Sequence, residues 1–157
     1  MKILLVLVVL MGLAAIAIVI LKKRASSVGG DERWPFYAKK LLTEPEQILY
    51  YRLVQAMPEC IVLAQVQLSR VLGVKKGFNF NEWNNRINRM SLDFLVCLKD
   101  TTVVAAIELD DKSHEKQSRI EADAKKDKAL SAAGIAIIRW QAGALPDEAA
   151  IRKALAK

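Results

Sequence analysis

The chain has 157 residues, 53% hydrophobic and 26% charged, with a formal net charge of +7; that is room for one ordinary globular domain and an appendage. Lys2, Lys22, Lys23 and Arg24 flank an apolar N-terminal run and carry +4 of this charge. Taking them from the 24 Lys and Arg leaves 20 against 17 acidic residues, so the pI of 9.5 is weak evidence for a nucleic-acid partner. One His and two cysteines, Cys60 and Cys97, with no CxxC spacing, exclude a structural zinc site.

Ile3 to Leu21 (ILLVLVVLMGLAAIAIVIL) holds no charged or polar side chain. At about 1.5 Å per residue, a helix of roughly 19 residues reaches about 28 Å, close to the bilayer core of about 30 Å, so residues 1–24 are read as a transmembrane anchor with a basic flank. A secretory signal peptide competes, but its apolar region usually runs about 7 to 15 residues before a small-residue cleavage site. Here the run is longer and is closed by Lys22-Lys23-Arg24. Those cations place the C-terminal side in the cytoplasm by the positive-inside rule, where Cys60 and Cys97 are expected as buried thiols rather than a disulfide.

Residues 25–33 (ASSVGGDER) read as a flexible tether and 34–157 as the folded domain. Trp34, Phe36 and Tyr37 cluster around Pro35, either as aromatic anchors at the headgroups or packed on the domain. Thr43, Pro45 and Glu46 then give a cap, a first-turn proline and a capping-box acid, starting a helix that runs to Pro58. Cys60 to Leu68 reads as a strand, and Lys75 to Arg89 mostly as a loop.

Leu92 to Leu98 and Thr102 to Leu109 are predicted strands separated by the polar turn Lys99 to Thr101. His114 to Ala133 is a charged, Ala-rich helix stopped by Gly134. Ile135 to Trp140 is a buried strand, and Pro146 to Ala156 a closing helix. The order α-β-β-β-α-β-α predicts an α/β or α+β domain of about 120 residues, within the usual single-domain range.

The chemistry gathers in IELDDKSH, Ile107 to His114. Glu108 and Asp110 point to one face of their strand. A hairpin turning through Asp100 and Thr101 would pair Lys99 with Thr102 and set Asp93 opposite Glu108. Like charges facing each other across strands are destabilising, and a divalent cation offsets this: Mg²⁺ commonly takes one or two carboxylates with waters and substrate phosphate.

On the following helix, Arg119, Ala122, Lys126, Ala129 and Ala133 recur at three- and four-residue spacing. If that stripe packs on the sheet, Lys126 approaches the acids; the alternative is a snorkelling surface lysine. His114 is either a general acid or a helix-start residue. Asp123 and Asp127 lie on a neighbouring face, solvated or ion-paired.

Ser91-Leu92-Asp93-Phe94, Ile107 to His114, Arg119, Ala122-Asp123, Lys126-Asp127, Leu130, Gly134 and Arg139 together resemble the PD-(D/E)XK, or restriction-endonuclease-like, superfamily. The likeness is nearest to its very short patch repair endonuclease-like branch and a related bacterial domain of unknown function, and spans roughly Leu41 to Trp140. It implies a restriction-endonuclease-like core, a central mixed sheet with helices on both sides. It also implies Mg²⁺- or Mn²⁺-dependent phosphodiester hydrolysis, with Asp93 and Glu108 as metal ligands, joined by Asp110 and by Glu46 on the first helix, whose other role is capping. Asp110 stands where the superfamily has its lysine, so Lys126, Lys112 or His114 would take that role.

For nucleic acid, DNA ahead of RNA, the candidate contacts are Lys75, Lys76, Arg86 and Arg89, with Phe78, Phe80 and Trp83 between them, or else a plain loop with anchoring aromatics. The resulting expectation is a nuclease held at the bacterial inner membrane by a single pass, its catalytic domain cytoplasmic. A catalytically silent, membrane-tethered binding module is the alternative.

Overall fold

The computed structural model describes residues 1–26, 33–110 and 117–156, leaving aside the side chains of 2–9, 23–26 and 117–120. It forms two compact units, Met1–Lys39 and Lys40–Lys157.

The first unit holds α1, one unbroken helix over Lys2–Ser26. Leu10, Leu13, Ile16, Ile20 and other large apolar side chains along it are exposed. Among the described residues, no helix is long and apolar enough to cross a membrane, so the transmembrane anchor expected over residues 1–24 is not found there. Trp34 and Phe36 face each other with ring centroids 5.7 Å apart.

The second unit is mixed α/β, built on a four-stranded sheet in the order β1-β2-β3-β4. The strands are β1 (Ile61–Gln67), β2 (Ser91–Cys97), β3 (Val103–Asp110) and β4 (Ala136–Gln141), joined by α2 (Glu44–Ala56), α3 (Leu68–Val71), α4 (Phe80–Asn85), α5 (Gln117–Ala132) and α6 (Glu148–Leu155). The first three strands are antiparallel neighbours, and β4 returns through α5 to lie parallel to β3.

Alternation along the strands sorts the core into two layers. Phe94 and Val96 of β2, with Ala105 and Ile107 of β3, pack against Leu49 and Leu53 of α2 and Ile151 and Leu155 of α6. Leu95, Cys97 and Ala106 face the other way, toward Leu130 of α5 and Leu68 of α3. Arg52 ties the first layer together, its Nη1 donating to the carbonyls of Leu145 and Pro146 at 3.1 and 2.7 Å. Cys60 and Cys97 are both free, Cys97 buried and Cys60 half-buried; burial pushes both thiols up.

Three local features differ from the sequence reading. The stretch Lys75 to Arg89, read mostly as loop, contains α4, where the Asn79 side chain accepts the Glu82 N–H at 3.1 Å and caps the turn. The 60–68 strand ends at Gln67, with Leu68 opening α3. The β2–β3 turn uses three residues rather than two: Leu98 N–H donates to Thr102, and Thr101 takes the left-handed conformation at φ 70°. A register shift between Val96 and Cys97 absorbs the extra residue. Beyond it, Val96 pairs with Ala105 and Phe94 with Ile107, so one further step still sets Asp93 opposite Glu108.

Gly134 ends α5 as expected. At φ 71° it lets its own N–H reach Ser131 O and Ile135 N–H reach Leu130 O, both at 3.0 Å, a Schellman closure that turns the chain into β4.

Candidate functional site

One end of the sheet collects the start of β2 and the ends of β1, β3 and β4. Glu108 shares a face of β3 with Ala106, whose layer is closed by Leu130. One helical turn before Leu130, Lys126 occupies the same stripe of α5, and its Nζ lies 2.8 Å from Glu108 Oε1. Both residues are nearly sealed, at 8% and 9% exposure. Lys126 therefore faces inward, and the snorkelling alternative does not hold. The buried stripe runs through Lys126 and Leu130, while Ala133, which the spacing put on it, is exposed.

Across the strand pair, Asp93 Oδ2 accepts the backbone N–H of Leu109 at 2.8 Å, which fixes the carboxylate beside Glu108. Burial pushes the Asp93 carboxyl above its ordinary value against that hydrogen bond, and the neighbouring Glu46 and Asp110 carboxylates add to the rise. Burial also pushes Glu108 up, to about 7, with Asp93 contributing and Lys126 and Arg139 opposing. Two acids are thus held where ionisation is costly, beside one buried cation.

Around this pair stands a second ring of polar groups. Arg139 is the β4 partner of Glu108, and its Nη2 lies 2.5 Å from Asp127 Oδ1. That settles Asp127 as ion-paired and raises the affinity of Arg139 for its proton. Glu46 does cap α2, its Oε2 accepting from Thr43 N and Oγ1 at 2.6 Å. Its other oxygen accepts Gln65 Nε2 at 2.9 Å.

Gln65 was not singled out from the sequence. It sits between the paired residues Ala64 and Val66 of β1 in the left-handed region, at φ 53°, a conformation a non-glycine residue holds at a cost. The trace in the sequence was an amide inside the apolar run IVLAQV.

The structure therefore gathers Asp93, Glu108 and Lys126, with Glu46 and Asp110 close enough to act on Asp93. Among the described residues, no group of three or more His, Cys, Asp and Glu side chains forms a metal-binding arrangement, so the expected set of Asp93, Glu108 and Asp110 is not assembled as one cage. Asp110 ends β3 beside β4, where its charge acts on Arg139 as well as on Asp93. His114 and Lys112 lie outside the described residues, as does the side chain of Arg119.

The basic loop divides. Lys75 and Arg86 line a groove against α5, whereas Lys76 and Arg89 are exposed outside its lining. Arg86 is engaged twice, 4.2 Å over the Trp83 ring and 2.6 Å from Glu82. Phe78 meets the Trp83 ring edge-on at 5.9 Å.

Residues 38–157 match the family described as Protein of unknown function (DUF2726). The chain belongs to that family. The match takes in every strand of the sheet and all of Glu46, Asp93, Glu108 and Lys126, so the buried acid–lysine site lies within the matched region of this chain. No curated protein and no solved structure matches the chain.

Proposed function

We propose that the DUF2726 domain of this chain is a metal-dependent phosphodiester hydrolase acting on nucleic acid, with a restriction-endonuclease-like core. The carrying observation is the buried group Asp93, Glu108 and Lys126 at one end of a mixed sheet, with the Glu108 carboxyl pushed up to about 7. Strand order supports the fold reading: three antiparallel strands, then a helix crossover to a parallel fourth, with the acids at the start of β2 and the end of β3.

Mg²⁺ or Mn²⁺ suits the pair Asp93 and Glu108, because such ions use one or two carboxylates and complete their shell with water and phosphate oxygens. When bound, the ion would supply charge neutralisation on the phosphate and Lewis acidity. The chain's own residues do the positioning. Lys126 holds Glu108 by Oε1 and brings a cation to the place where negative charge develops on the phosphate. Leu109 N–H fixes Asp93, and Gln65 links Glu46 to the same end of the sheet. Lys126 would stand in for the lysine that Asp110 replaces.

We propose as well that the N-terminal run anchors the chain in a bilayer with the domain on the cytoplasmic side, a reading of the full run Ile3 to Leu21, since no helix among the described residues is long and apolar enough to cross a membrane by itself. Its support is the continuous helix, the uncharged run Ile3 to Leu21 and the closing Lys22-Lys23-Arg24. Retention in the membrane fraction after alkaline carbonate washing tests it, and release into the supernatant would refute it.

Cleavage and Mn²⁺ binding by the detergent-solubilised full chain test the hydrolase. Wild type should cut a labelled oligonucleotide with Mg²⁺ or Mn²⁺, and Glu108→Gln and Lys126→Ala should each lose at least about a hundredfold in rate. Absence of both Mn²⁺ binding and cleavage in wild type would leave a tethered, catalytically silent module.

A further inference from the structure

We infer that the groove between α5 and the α4 region is a binding site for single-stranded nucleic acid, holding unpaired bases against Trp83 and Phe78. This rests on the nucleic-acid reading above and narrows it to a strand state. The groove has a volume of about 740 Å³, within the range of roughly 300–1,000 Å³ usual for small-ligand sites. A base with its sugar and phosphate is a ligand of that scale.

Every charged residue lining the groove is basic: Lys75 and Arg86 on the loop side, Lys125 and Lys128 on α5. Lys125 and Lys128 are exposed, so they reach an anion with little of the desolvation cost that a buried cation carries. Between them the α5 wall is Ala129, Ala132 and Ala133, small residues that let a flat ligand approach the helix closely.

Opposite, Trp83 and Phe78 are 41% and 60% exposed and sit side by side, so they present one aromatic patch to the groove. Arg86 covers one face of the Trp83 ring and Phe78 meets it edge-on, so the surface offered to a base is the exposed remainder of the indole together with the Phe78 ring. An exposed aromatic pair in a cationic groove suits base stacking, which is tolerant of sequence because every base has a π-face. A duplex keeps its base faces stacked inside and offers such a groove its backbone and base edges, not a π-face for stacking.

The groove also bears on the acid site through α5. Lys125 and Lys128 flank Lys126 on the same helix, so one element turns cations toward the groove and Lys126 toward Glu108. A strand bound along α5 is thereby brought to the helix that carries the buried lysine.

The test is fluorescence anisotropy of a labelled oligothymidine, and of the same length of duplex, with the detergent-solubilised full chain. EDTA is present, so neither metal nor cleavage enters. Single strand should bind at least about tenfold tighter than duplex, and Lys125→Glu combined with Lys128→Glu should weaken it by about tenfold or more. Trp83→Leu should weaken it about 5- to 100-fold and abolish most of the tryptophan quenching on binding. Circular dichroism checks that the variants fold. Equal or tighter duplex binding, or single-strand binding untouched by the α5 charge reversal, would overturn the inference, as would capture of acidic peptides with no oligonucleotide bound. Cleavage with Mg²⁺ is scored separately: groove-dependent single-strand binding without cleavage sinks the hydrolase alone, and cleavage without it sinks the groove alone.

Discussion

Replacing Lys126 with methionine removes the cation from Glu108 while roughly keeping the length of the side chain, and its effect on stability should depend on pH in a defined way. Glu108 has an ordinary value of 4.5 and about 7 in the fold. The folded state therefore binds the proton more tightly than the unfolded one, and this acid makes stability fall as pH rises between those values and adds no further slope above about 7. Across that window the loss is of the order of 3 kcal/mol. Without Lys126, whose Nζ is 2.8 Å away, the carboxyl keeps its proton past 7. The decline then continues at about 1.4 kcal/mol per pH unit. Urea unfolding of the solubilised chain, followed by circular dichroism from about pH 6 to about pH 9, reads this directly. Lys126→Met should track wild type at the acid end and lie about 2 kcal/mol below it near pH 8.5, while Lys126→Met combined with Glu108→Gln should lose the extra slope. Parallel curves for Lys126→Met and wild type across the range would refute the buried pair.

Three further outcomes follow from the same geometry. If Glu108 is a metal ligand as proposed, Mn²⁺ must compete with its proton, and the apparent affinity, measured by calorimetry, should rise about tenfold per pH unit below about 7 and level off above it; a flat profile would exclude Glu108 as a ligand. Gln65 holds a left-handed backbone, so Gln65→Gly should stay within about 1 kcal/mol of wild type in urea and Gln65→Val should lose about 2 kcal/mol, whereas an ordinary strand position would favour Val. Leu130 is fully buried and seats α5 on the sheet, so Leu130→Ala should cost about 3 kcal/mol, and a loss below about 1 kcal/mol would mean that α5 is held elsewhere.

How the acids came to face each other shows the limits of reading by register. The sequence reading reached Asp93 opposite Glu108 through a two-residue turn. The chain uses three residues at the turn and recovers the same opposition through the shift near Val96. Turn length is chosen by local backbone energetics, such as Thr101 at φ 70° with Asp100 Oδ1 accepting the Thr102 N–H. Both faces of β2 and β3 are buried, Phe94 and Val96 in one core layer and Leu95 and Cys97 in the other, so packing in both layers holds the register that the shift near Val96 restores.

What the sequence determined by itself was periodic or capped. The four strands, α2 with Thr43 and Glu46, and the stop of α5 at Gly134 all follow from patterns a few residues long. So does the N-terminal helix, whose apolar run reads directly from its residues. Short α3 and α4 escaped because four- and six-residue helices present too little periodicity, and α4 depends on a single asparagine cap.

Only the tertiary structure decided which way Lys126 points. Helical spacing allowed it to face the sheet or solvent, and the choice falls to Leu130, whose burial four residues on turns Lys126 onto Glu108. Likewise Gln65 meets Glu46 across 19 positions of sequence and Asp127 meets Arg139 across 12. Burial and charge pairing of this kind are set by which faces meet when the layers close, and no window along a single element contains that information.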